Sequence, residues 1–467
     1  MGSKKTMKII LILFLAVFLR LVNLSQSFWL DESISALMAI KPFPFQWTGL
    51  GNDFQPPLYY LILHFWQNFG HSEWWLRLPS VIFGTGTVYM VYRLGKELKG
   101  ENFGFLASFL MAIAPYHIYY SQEARMYSLV VFLTTVAIFF FLKSQWPLYF
   151  LTSVFALYTH YFFFFILFSL GIYTIFFKRE ILKSWLAATA AAGFAFLFWL
   201  PTFLVQLSGG KWLSENLPGW SRVSSIDTVK ALPLIFTKFS LGQINFDNKI
   251  LYGVVVLIVL IFYGGLLIRG FKKTTPLITL WLAVPVLTSL ALSFFLPVNV
   301  PWRLLIVLPA FYLCLAAGVF SLPFPAARIA VLGIAAVSLT SLSLYYLNPR
   351  YQRENWRQAV EAIDSRSDKE TIALFEFPEP FAPYEWYSLK KTGLGAFSGL
   401  TATEKTVDER LSGITVGKQK AYLFEYLFEL TDKQMLVEKW LLTHGFFLGE
   451  IYDFKGVGLI RTYERNI

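Results

Sequence analysis

The chain has 467 residues, of which 56% are hydrophobic and 19% aromatic, while only 15% are charged. A soluble domain carries about 25% charged residues because its surface must face water, so this composition excludes a chain made of soluble domains alone. The net charge of +11 does not by itself indicate nucleic-acid binding, because cationic loops on one side of a membrane give the same total. The single cysteine, Cys314, excludes an intrachain disulfide.

Apolar runs of membrane-spanning length recur through residues 1–347. A transmembrane helix needs about 20 mostly apolar residues, and eleven runs meet this requirement with some tolerance. The aromatic stretch 146–177 is divided in two at the polar break Thr159-His160-Tyr161. In chain order, the predicted spans are 8–25, 77–94, 103–120, 126–142, 146–162, 163–177, 183–201, 250–268, 276–297, 303–321 and 327–346.

The run Pro57–Phe69 is too short to cross a membrane, and it predicts a helix that lies in the interface or re-enters it. The positive-inside rule supports this choice, because it leaves 14 cations in cytoplasmic segments and nine in outer loops. The first apolar run continues to Leu24 without a small-x-small cleavage site, which predicts a first span with a cytoplasmic N-terminus. An odd number of spans then leaves the C-terminal tail outside.

The tail, residues 348–467, differs in composition from the rest of the chain. Residues 1–347 hold 24 Lys and Arg against 11 Asp and Glu, a net charge of +13, whereas the tail holds 16 against 18, a net charge of −2. Strand-like runs at 371–377, 420–428 and 457–462 alternate with amphipathic helical stretches at 355–363 and 432–444. The prediction is therefore a transmembrane domain over 1–347 and a small extracytoplasmic α/β domain over 348–467.

Acidic residues are scarce before residue 348, so their positions are informative. Asp31, Glu32, Asp53 and Glu123 all lie just beyond predicted helix ends on the outer side. A carboxylate at this level is ionised at lower cost than one at the bilayer centre, and it can accept a proton or bind a metal ion. The alternative for Asp31 and Glu32 is a stabilising interaction with the positive end of the helix that follows. The alternative for Glu123 is a solvated turn.

Three further polar residues in or beside apolar runs have two interpretations each. Arg20 lies about a turn short of the outer end of the first span. It either snorkels to the headgroups or binds a phosphate with its planar fork of donors. Arg303 has the same two interpretations. His160 is either a polar contact between helices or a functional group.

Six short motifs follow one another in a characteristic order along this eleven-helix pattern. They are Leu30-Asp31-Glu32, Gln55-Pro56-Pro57-Leu58-Tyr59-Tyr60, Arg77-Leu78-Pro79-Ser80, Ala114-Pro115 with Tyr120-Ser121-Gln122-Glu123-Ala124-Arg125-Met126-Tyr127, Tyr158-Thr159-His160-Tyr161, and Pro301-Trp302-Arg303. Together they resemble the dolichyl-phosphate-mannose protein mannosyltransferase superfamily of the GT-C fold class. The similarity is to the bacterial branch that includes aminoarabinose transferase and Rgt-type lipopolysaccharide glycosyltransferases. The chain has Gln55 where the family often has His or Lys.

The resemblance implies a multi-spanning α-helical GT-C-like membrane protein with interfacial helices in its first outer loop. It implies transfer of a hexose or pentose from a polyprenyl-phosphate sugar, by a single inverting displacement on the outer face of the cell (plasma or inner) membrane. Asp31 matches the catalytic acid, Glu32 is its neighbour, and Glu123 matches a second acidic position. The arginines that would hold the phosphate are Arg20, Arg125 and Arg303. The rest of the implied substrate-binding set is Asp53, Gln55, Tyr59, Tyr60, Tyr120, Tyr127, His160 and Tyr161.

The implied partners are the lipid-linked donor, membrane lipid, and an acceptor glycan, lipid or protein, with no nucleic acid. A divalent metal held by Glu123 or Asp53 is compatible with the superfamily, but the sequence contains no ligand cluster that requires one, and no cofactor is expected. Two other classes fit parts of the pattern. A transporter or flippase for a lipid-linked sugar would also carry charges at the membrane surface, although it would be expected to show internal repeats. A scaffold protein would have no need of Asp31, Glu32 and Glu123 at one membrane face.

Overall fold

The computed structural model describes residues 2–42, 54–217, 219, 228–296 and 298–465. The chain divides into two compact units. The first comprises Met1–Leu24, Phe43–Leu207 and Ser225–Tyr351, and the second comprises Ser25–Pro42, Ser208–Ser224 and Gln352–Ile467. The tail therefore belongs to a unit that also takes in two segments from earlier in the chain, one of which carries Asp31 and Glu32.

The described part of the chain up to residue 347 is helical and has no strand. Short 3-10 turns lie at Gln67–Phe69, Arg179–Ile181 and Pro301–Val307. The α-helices are α1 (Gly2–Leu21), α2 (Leu30–Ile40), α3 (Leu58–Trp66), α4 (Glu73–Lys99), α5 (Glu101–Ala112), α6 (Pro115–Ser121), α7 (Tyr127–Leu142), α8 (Trp146–Leu157), α9 (Phe163–Phe177), α10 (Leu182–Phe196), α11 (Leu200–Asn216), α12 (Thr228–Leu241), α13 (Lys249–Lys273), α14 (Pro276–Leu292), α15 (Leu308–Phe320) and α16 (Phe324–Leu347).

The eleven predicted spans all correspond to helices in the part of the chain that the structure describes. Within the described ranges, three helices can cross a membrane unaided by length and composition: α13, the continuous segment Pro301–Phe320, and α16. Two bent pairs reach the length only together, namely α5 with α6 at an angle of 63°, and Arg179–Phe196 with α11 at 71°. The helices agree with the prediction, and the number of spans stays a prediction.

The prediction can be compared with the structure in two regions, the run Pro57–Phe69 and the residues between the predicted spans 183–201 and 250–268. The run Pro57–Phe69 forms the nine-residue α3 followed by a 3-10 turn, a helix too short to cross. The predicted spans leave residues 202–249 as a loop, whereas α11 continues to Asn216 and α12 covers Thr228–Leu241. The buried Ala231, Ile235 and Phe239 of α12 recur every four residues, which is a helical period.

Close packing of backbones holds α13 against α15. A Cβ atom added at Gly270 would lie 2.0 Å from the carbonyl oxygen of Cys314, and one added at Gly318 would lie 2.0 Å from that of Leu266. Small residues at such crossings let helices approach closely where lipid provides no hydrophobic drive. Any larger residue at either glycine would push the two helices apart.

The second unit contains a five-stranded mixed sheet with the order β2-β1-β3-β5-β4. The strands are β1 (Thr371–Phe375), β2 (Gly393–Gly395), β3 (Lys420–Phe424), β4 (Phe446–Phe454) and β5 (Gly458–Arg465). Strand β1 pairs in parallel with β2 and β3, whereas β5 is antiparallel to β3 and β4. The helices after residue 347 are α17 (Trp356–Arg366), α18 (Ala382–Tyr387), α19 (Glu404–Ile414), α20 (Phe428–Thr431) and α21 (Leu436–Thr443), with a 3-10 turn at Pro349–Tyr351.

Alternate residues of β1 enter two cores on opposite faces of this sheet, as the two-residue period of a strand requires. Ala373 and Phe375 join a cluster with Trp356 and Tyr426, against which Leu30 of α2 packs. Ile372 and Leu374 belong to the cluster on the other face. Helix α2 is thus part of the packing of the tail sheet.

The predicted strands 371–377, 420–428 and 457–462 correspond to β1, β3 and β5. Strands β2 and β4 were not predicted, because β2 has three residues and β4 is an edge strand whose side chains are mostly exposed.

The helix in the structure is shorter than the predicted helix 432–444, since it begins at Leu436. The Asp432 carboxylate accepts hydrogen bonds from the backbone N–H groups of Leu436 and Val437 at 2.8 and 2.9 Å and so satisfies the first N–H groups of this helix.

Candidate active site

The polar turn between α6 and α7 is buried within the first unit. Glu123 is 0% exposed and Arg125 is 5% exposed, and Gln122 beside them is also buried. The Gln122 side-chain amide donates to the carbonyl oxygen of Arg20 at 3.0 Å, which ties the turn to the end of α1. The backbone N–H of Arg125 donates to the Glu123 carbonyl oxygen at 2.8 Å. This turn is therefore an ordered part of the bundle and not a solvated connection.

A tyrosine of α3 and a serine of α4 contact the arginine of this turn, and a second tyrosine of α3 contacts the serine. Arg125 Nη1 donates to Tyr60 Oη at 3.3 Å. Ser80 Oγ donates to the Arg125 carbonyl oxygen at 3.3 Å and lies 2.9 Å from Tyr59 Oη. The structure thus brings together three residues that the sequence assigned to substrate binding, Tyr59, Tyr60 and Arg125.

A row of aromatic rings leads from this turn to the break between α8 and α9. The Tyr120 and Tyr127 ring centroids are 5.0 Å apart, and those of Tyr127 and His160 are 6.2 Å apart. Glu123 lies close enough to Tyr120 to act on it electrostatically. Tyr120 and Tyr127 of one predicted motif and His160 of another therefore lie in one continuous group.

His160 carries a buried donor and lies near two cations. The backbone N–H of Phe162 donates to His160 Nδ1 at 3.1 Å, so Nδ1 is an acceptor and the neutral ring carries its proton on Nε2. Nε2 is buried and has no hydrogen-bond partner among the described residues. Arg303 and Arg125 lie close enough to act on the ring electrostatically. A buried donor without an acceptor costs about 1–3 kcal/mol, and an anion bound here would remove that cost.

Arg20 does not have the exposed surroundings expected of a side chain that snorkels to the lipid headgroups. It is 0% exposed. Its Nη1 donates to the carbonyl oxygens of Ala16 and Ala112 at 2.9 and 3.2 Å, and its Nε donates to Ser121 Oγ at 3.2 Å. Its Nη2 lies 2.7 Å from His117 Nδ1. Its donors are used within the bundle, which leaves no role for snorkelling.

Gly84 of α4 allows this arrangement. A Cβ atom there would lie 2.2 Å from Ser121 Oγ and 3.1 Å from Arg20 Nε. A larger residue at position 84 would displace both groups, so the glycine is needed for the close approach of α4 to α6.

Tyr161 and Gln55 belong to a separate hydrogen-bond network around Gln206 of α11. Tyr161 Oη donates to Gln206 Oε1 and accepts from Trp199 Nε1, the latter at 2.9 Å. Gln206 Nε2 donates to the Gln55 carbonyl oxygen at 3.2 Å. This contact uses the Gln55 backbone, so it would remain with His or Lys at that position.

The two predicted catalytic acids of α2 belong to the second unit. Asp31 and Glu32 occupy the first turn of α2, whose N-cap is Trp29 and has no side-chain capping hydrogen bond. Glu32 is fully buried and Asp31 is half-buried. The acids therefore do not serve as the N-cap residue, although their charges still lie at the positive end of the helix. Asp31 acts electrostatically on Glu354 and Tyr426 of the tail.

A metal ion finds no ready ligand set in the part of the chain that the structure describes. No group of three or more His, Cys, Asp or Glu side chains there is arranged to hold one. Asp53, one of the two residues considered for this role, lies outside the described residues.

The sequence motifs do not include Lys238 and Gln243, which lie near Tyr120, or Glu354, which lies near Asp31. Lys238 of α12 donates to Gln243 Oε1 at 2.7 Å, and Gln243 Nε2 donates to Tyr120 Oη at 3.3 Å. A lysine one residue from the buried face of an amphipathic helix is a detectable signal once α12 is recognised. Glu354 lies far from α2 in the sequence, and no local pattern connects it with Asp31.

Comparisons with known proteins agree with these features. Residues 54–205 match the sequence model of the family described as dolichyl-phosphate-mannose-protein mannosyltransferase. This region contains Tyr60, Glu123, Arg125 and His160. No curated protein sequence matches the chain.

Solved structures of similar fold cover the whole chain. ArnT from Cupriavidus metallidurans bound to undecaprenyl phosphate has a TM-score of 0.58 at 10% identity, with 97% of both chains covered. Its apo form gives the same TM-score at 9% identity, with 99% of this chain and 98% of that chain covered. The oligosaccharyltransferase AglB from Archaeoglobus fulgidus, in complex with an inhibitory peptide and a dolichol-phosphate, has a TM-score of 0.53 at 12% identity, with 100% and 74% covered.

These matches confirm the resemblance drawn from the six motifs. The family match covers the region between α3 and α11, and the structural likenesses show that the chain has the fold of ArnT and AglB.

Proposed function

We propose that this GT-C-type protein transfers a sugar from a polyprenyl-phosphate donor to an acceptor hydroxyl on the outer face of a membrane. The observation that carries the proposal is the buried His160 Nε2, a donor with no acceptor among the described residues, near the cations of Arg125 and Arg303. Such a set suits a phosphate, because each group donates hydrogen bonds and two of them are cationic.

The solved relatives support a lipid-phosphate donor in particular. One ArnT structure holds undecaprenyl phosphate, and one AglB structure holds a dolichol-phosphate. A donor of this kind places a charged phosphate at the membrane surface while its tail stays in lipid. Arg125, held by Tyr60 at 3.3 Å, is the first choice for the cation that contacts the phosphate, since a guanidinium can bind two phosphate oxygens at once.

The proposed reaction is a single inverting displacement at the anomeric carbon. Asp31 accepts the proton of the acceptor hydroxyl while the hydroxyl oxygen forms a bond to C1. The bond between C1 and the phosphate oxygen breaks, and polyprenyl phosphate leaves with the electron pair. The support for Asp31 is its match to the catalytic acid of the family and its half-buried position on α2. A positioned general base typically contributes about 10²–10⁴ in rate.

The remaining acids are assigned supporting roles. Glu32 is fully buried on the same turn of α2 and helps to orient that turn. Glu123 lies beside Tyr120 and is proposed to orient the acceptor. The acceptor is a hydroxyl of a glycolipid, lipopolysaccharide, polysaccharide or protein.

The proposed topology has a cytoplasmic N-terminus and an extracytoplasmic tail. It is supported by 14 cations in the predicted inner segments against nine in the outer loops. A cysteine introduced at the exposed Val416 of the tail should react with an impermeant thiol reagent in intact cells. Labelling only after lysis would reverse the topology. The native Cys314 is buried and should give little background.

A donor panel tests the proposed function directly. The purified protein is incubated with polyprenyl-phosphate hexoses and pentoses, and release of polyprenyl phosphate and formation of glycosylated acceptor are measured. Transfer or donor hydrolysis with at least one member supports the proposal. Movement of an unchanged lipid-linked sugar between the leaflets of a proteoliposome, with no donor cleavage, would instead identify a flippase.

A further inference from the structure

The segment that carries Asp31 is attached to the tail, within the second unit, by hydrogen bonds from backbone N–H groups to side-chain oxygens. The backbone N–H of Phe28 donates to Tyr387 Oη at 2.7 Å. The backbone N–H of Arg353 donates to Gln26 Oε1 at 2.7 Å, and that of Arg357 donates to Ser27 Oγ at 3.0 Å. These contacts fix the entry to α2 immediately before Asp31.

Apolar packing continues the same attachment. The rings of Phe28 and Trp386 lie 5.8 Å apart between centroids. Leu30, the residue before Asp31, packs against the core cluster that contains Trp356 and Tyr426. The position of Asp31 is therefore determined by the fold of the tail and not only by the helix that bears it.

Within this attachment, the carboxylate of Glu354 is held by two neighbours. Its Oε2 accepts from Trp356 Nε1 at 2.8 Å, and its Oε1 accepts from Tyr426 Oη at 3.3 Å. A Cβ atom at Gly456 would lie 2.7 Å from Glu354 Cγ, so the glycine provides the space for this side chain. These hydrogen bonds and this packing therefore fix the orientation of the Glu354 side chain.

Among the described residues, four titratable or charged groups interact with Glu354. Asp31 of α2 raises its pKa and Arg353 lowers it, while Tyr426 and Glu354 share a hydrogen bond. Lys455, in the turn between β4 and β5, is acted on by Glu354 in turn. Burial is the largest cause of the shift and raises the pKa of Glu354 to about 7. Two nearby carboxyl groups in a partly buried place do not ionise independently, because each charge opposes the other.

We propose that Glu354 is a positioning residue of the catalytic centre, coupled to Asp31 as a pair of carboxyl groups in which the ionisation of one sets the proton affinity of the other. This inference rests on the proposed function, in which Asp31 is the base. While Glu354 holds a proton, Asp31 carries the only charge of the pair. When Glu354 loses it, the second negative charge increases the proton affinity of Asp31 and makes it a stronger base. The tail would thus tune the reaction through a residue that does not touch the substrate.

The variants that test this coupling are Glu354→Gln and Glu354→Asp, with Glu361→Gln as the matched control. Glutamine keeps an oxygen that accepts from Trp356 or Tyr426 but cannot ionise. Aspartate keeps the titration on a shorter side chain. Glu361 is exposed on α17 and takes no part in the pair.

The kinetic readout is the dependence of kcat/KM on pH. In the wild type and the Glu361→Gln control we expect kcat/KM to rise by about three- to tenfold through neutral pH. The rise should be absent in Glu354→Gln and restored at least in part in Glu354→Asp. A Glu354→Gln variant that folds and keeps the wild-type pH profile would overturn the coupling.

A second measurement does not depend on turnover. Infrared difference spectra across the pH range should show a carboxyl band titrating near neutral pH that is lost in Glu354→Gln. In Asp31→Asn this band should titrate at lower pH, because the charge that opposed ionisation is gone. A band that titrates at the same pH in Asp31→Asn overturns the coupling even if the wild type transfers sugar. A shifted band in a protein that transfers no sugar from any donor supports the coupling and removes the proposed function.

Discussion

The backbone N–H of Phe162 donates to His160 Nδ1 at 3.1 Å. This bond assigns the proton of the neutral imidazole to Nε2, which is buried and has no acceptor among the described residues. A protein retains such a group at a cost of about 1–3 kcal/mol. Binding of an anion near Arg125 and Arg303 would account for its retention.

The first prediction concerns this imidazole. His160→Ala should raise the KM for the donor by roughly tenfold, since a hydrogen bond to a charged group is worth about 1.5–3 kcal/mol. His160→Gln, which keeps an N–H donor, should recover part of the loss. The exposed His71 is the control, and His71→Ala should leave the KM unchanged. Equal donor KM values for all three variants and the wild type would exclude His160 from the phosphate site.

The second prediction separates charge from geometry at Arg125. Arg125→Lys keeps the charge but loses the planar fork and its contact with Tyr60. We expect a clear rise in the donor KM with unchanged expression, measured by steady-state kinetics over a range of donor concentrations. Arg93→Lys, at an exposed position of α4, is the matched control. Normal donor kinetics in Arg125→Lys would remove this residue from phosphate binding.

The third prediction distinguishes a structural from a binding role for Arg20. Arg20→Met removes the hydrogen bonds to Ala16, Ala112 and Ser121 and leaves buried acceptors without donors. The variant should unfold several degrees below the wild type, because each unsatisfied buried group costs about 1–3 kcal/mol. The fraction that stays folded should keep a donor KM close to that of the wild type. An unchanged Tm with a raised donor KM would instead support phosphate binding. Arg328→Met, at an exposed position, is the control for loss of a cation.

The fourth prediction is a pH dependence of stability that originates in the tail. Burial, followed by the charges of Asp432, Glu425 and Glu438, raises the pKa of Glu376 to about 9, well above the ordinary value of 4.5. Neither carboxyl oxygen of Glu376 has a hydrogen-bond partner among the described residues.

The folded state therefore holds this proton more tightly than the unfolded chain, and this group makes stability fall as pH rises from about 4.5 toward 9. Glu376→Gln should have a higher Tm than the wild type at pH 8 and a similar Tm at pH 5. The Tm values are measured on the full-length purified protein. A Tm difference that does not change between these two pH values would show that Glu376 is not protonated by folding.

Much of the fold could be predicted from the sequence, because apolar runs of fixed length report directly on helices in lipid. Helix α12 was missed since its polar residues and Pro233 resemble a loop when only hydropathy is considered. Strand β4 was missed because an exposed edge strand does not show the alternation on which strand prediction depends.

The residues of the candidate site could be predicted from the sequence, but the way they are distributed between the two units could not. The motifs identified Tyr60, Arg125 and His160, which the structure gathers in the first unit. They could not show that Arg20 uses its donors inside the bundle, since a helical arginine near a span end looks the same in either role. Nor could they connect Asp31 with Glu354, because the electrostatic interaction between these residues arises only when the tail and the segment Ser25–Pro42 fold into one unit.

The most direct test of the central claim is the turnover of Asp31→Asn on a labelled polyprenyl-phosphate sugar, measured beside Glu32→Gln and the wild type. Asparagine keeps the shape of the side chain but cannot accept the proton as a carboxylate does. The account predicts that Asp31→Asn folds and binds donor while its turnover falls by about 10²–10⁴, with a smaller loss in Glu32→Gln. Near-normal turnover in Asp31→Asn with an inactive Glu32→Gln would transfer the role of base to Glu32. Near-normal turnover in both variants would contradict the mechanism.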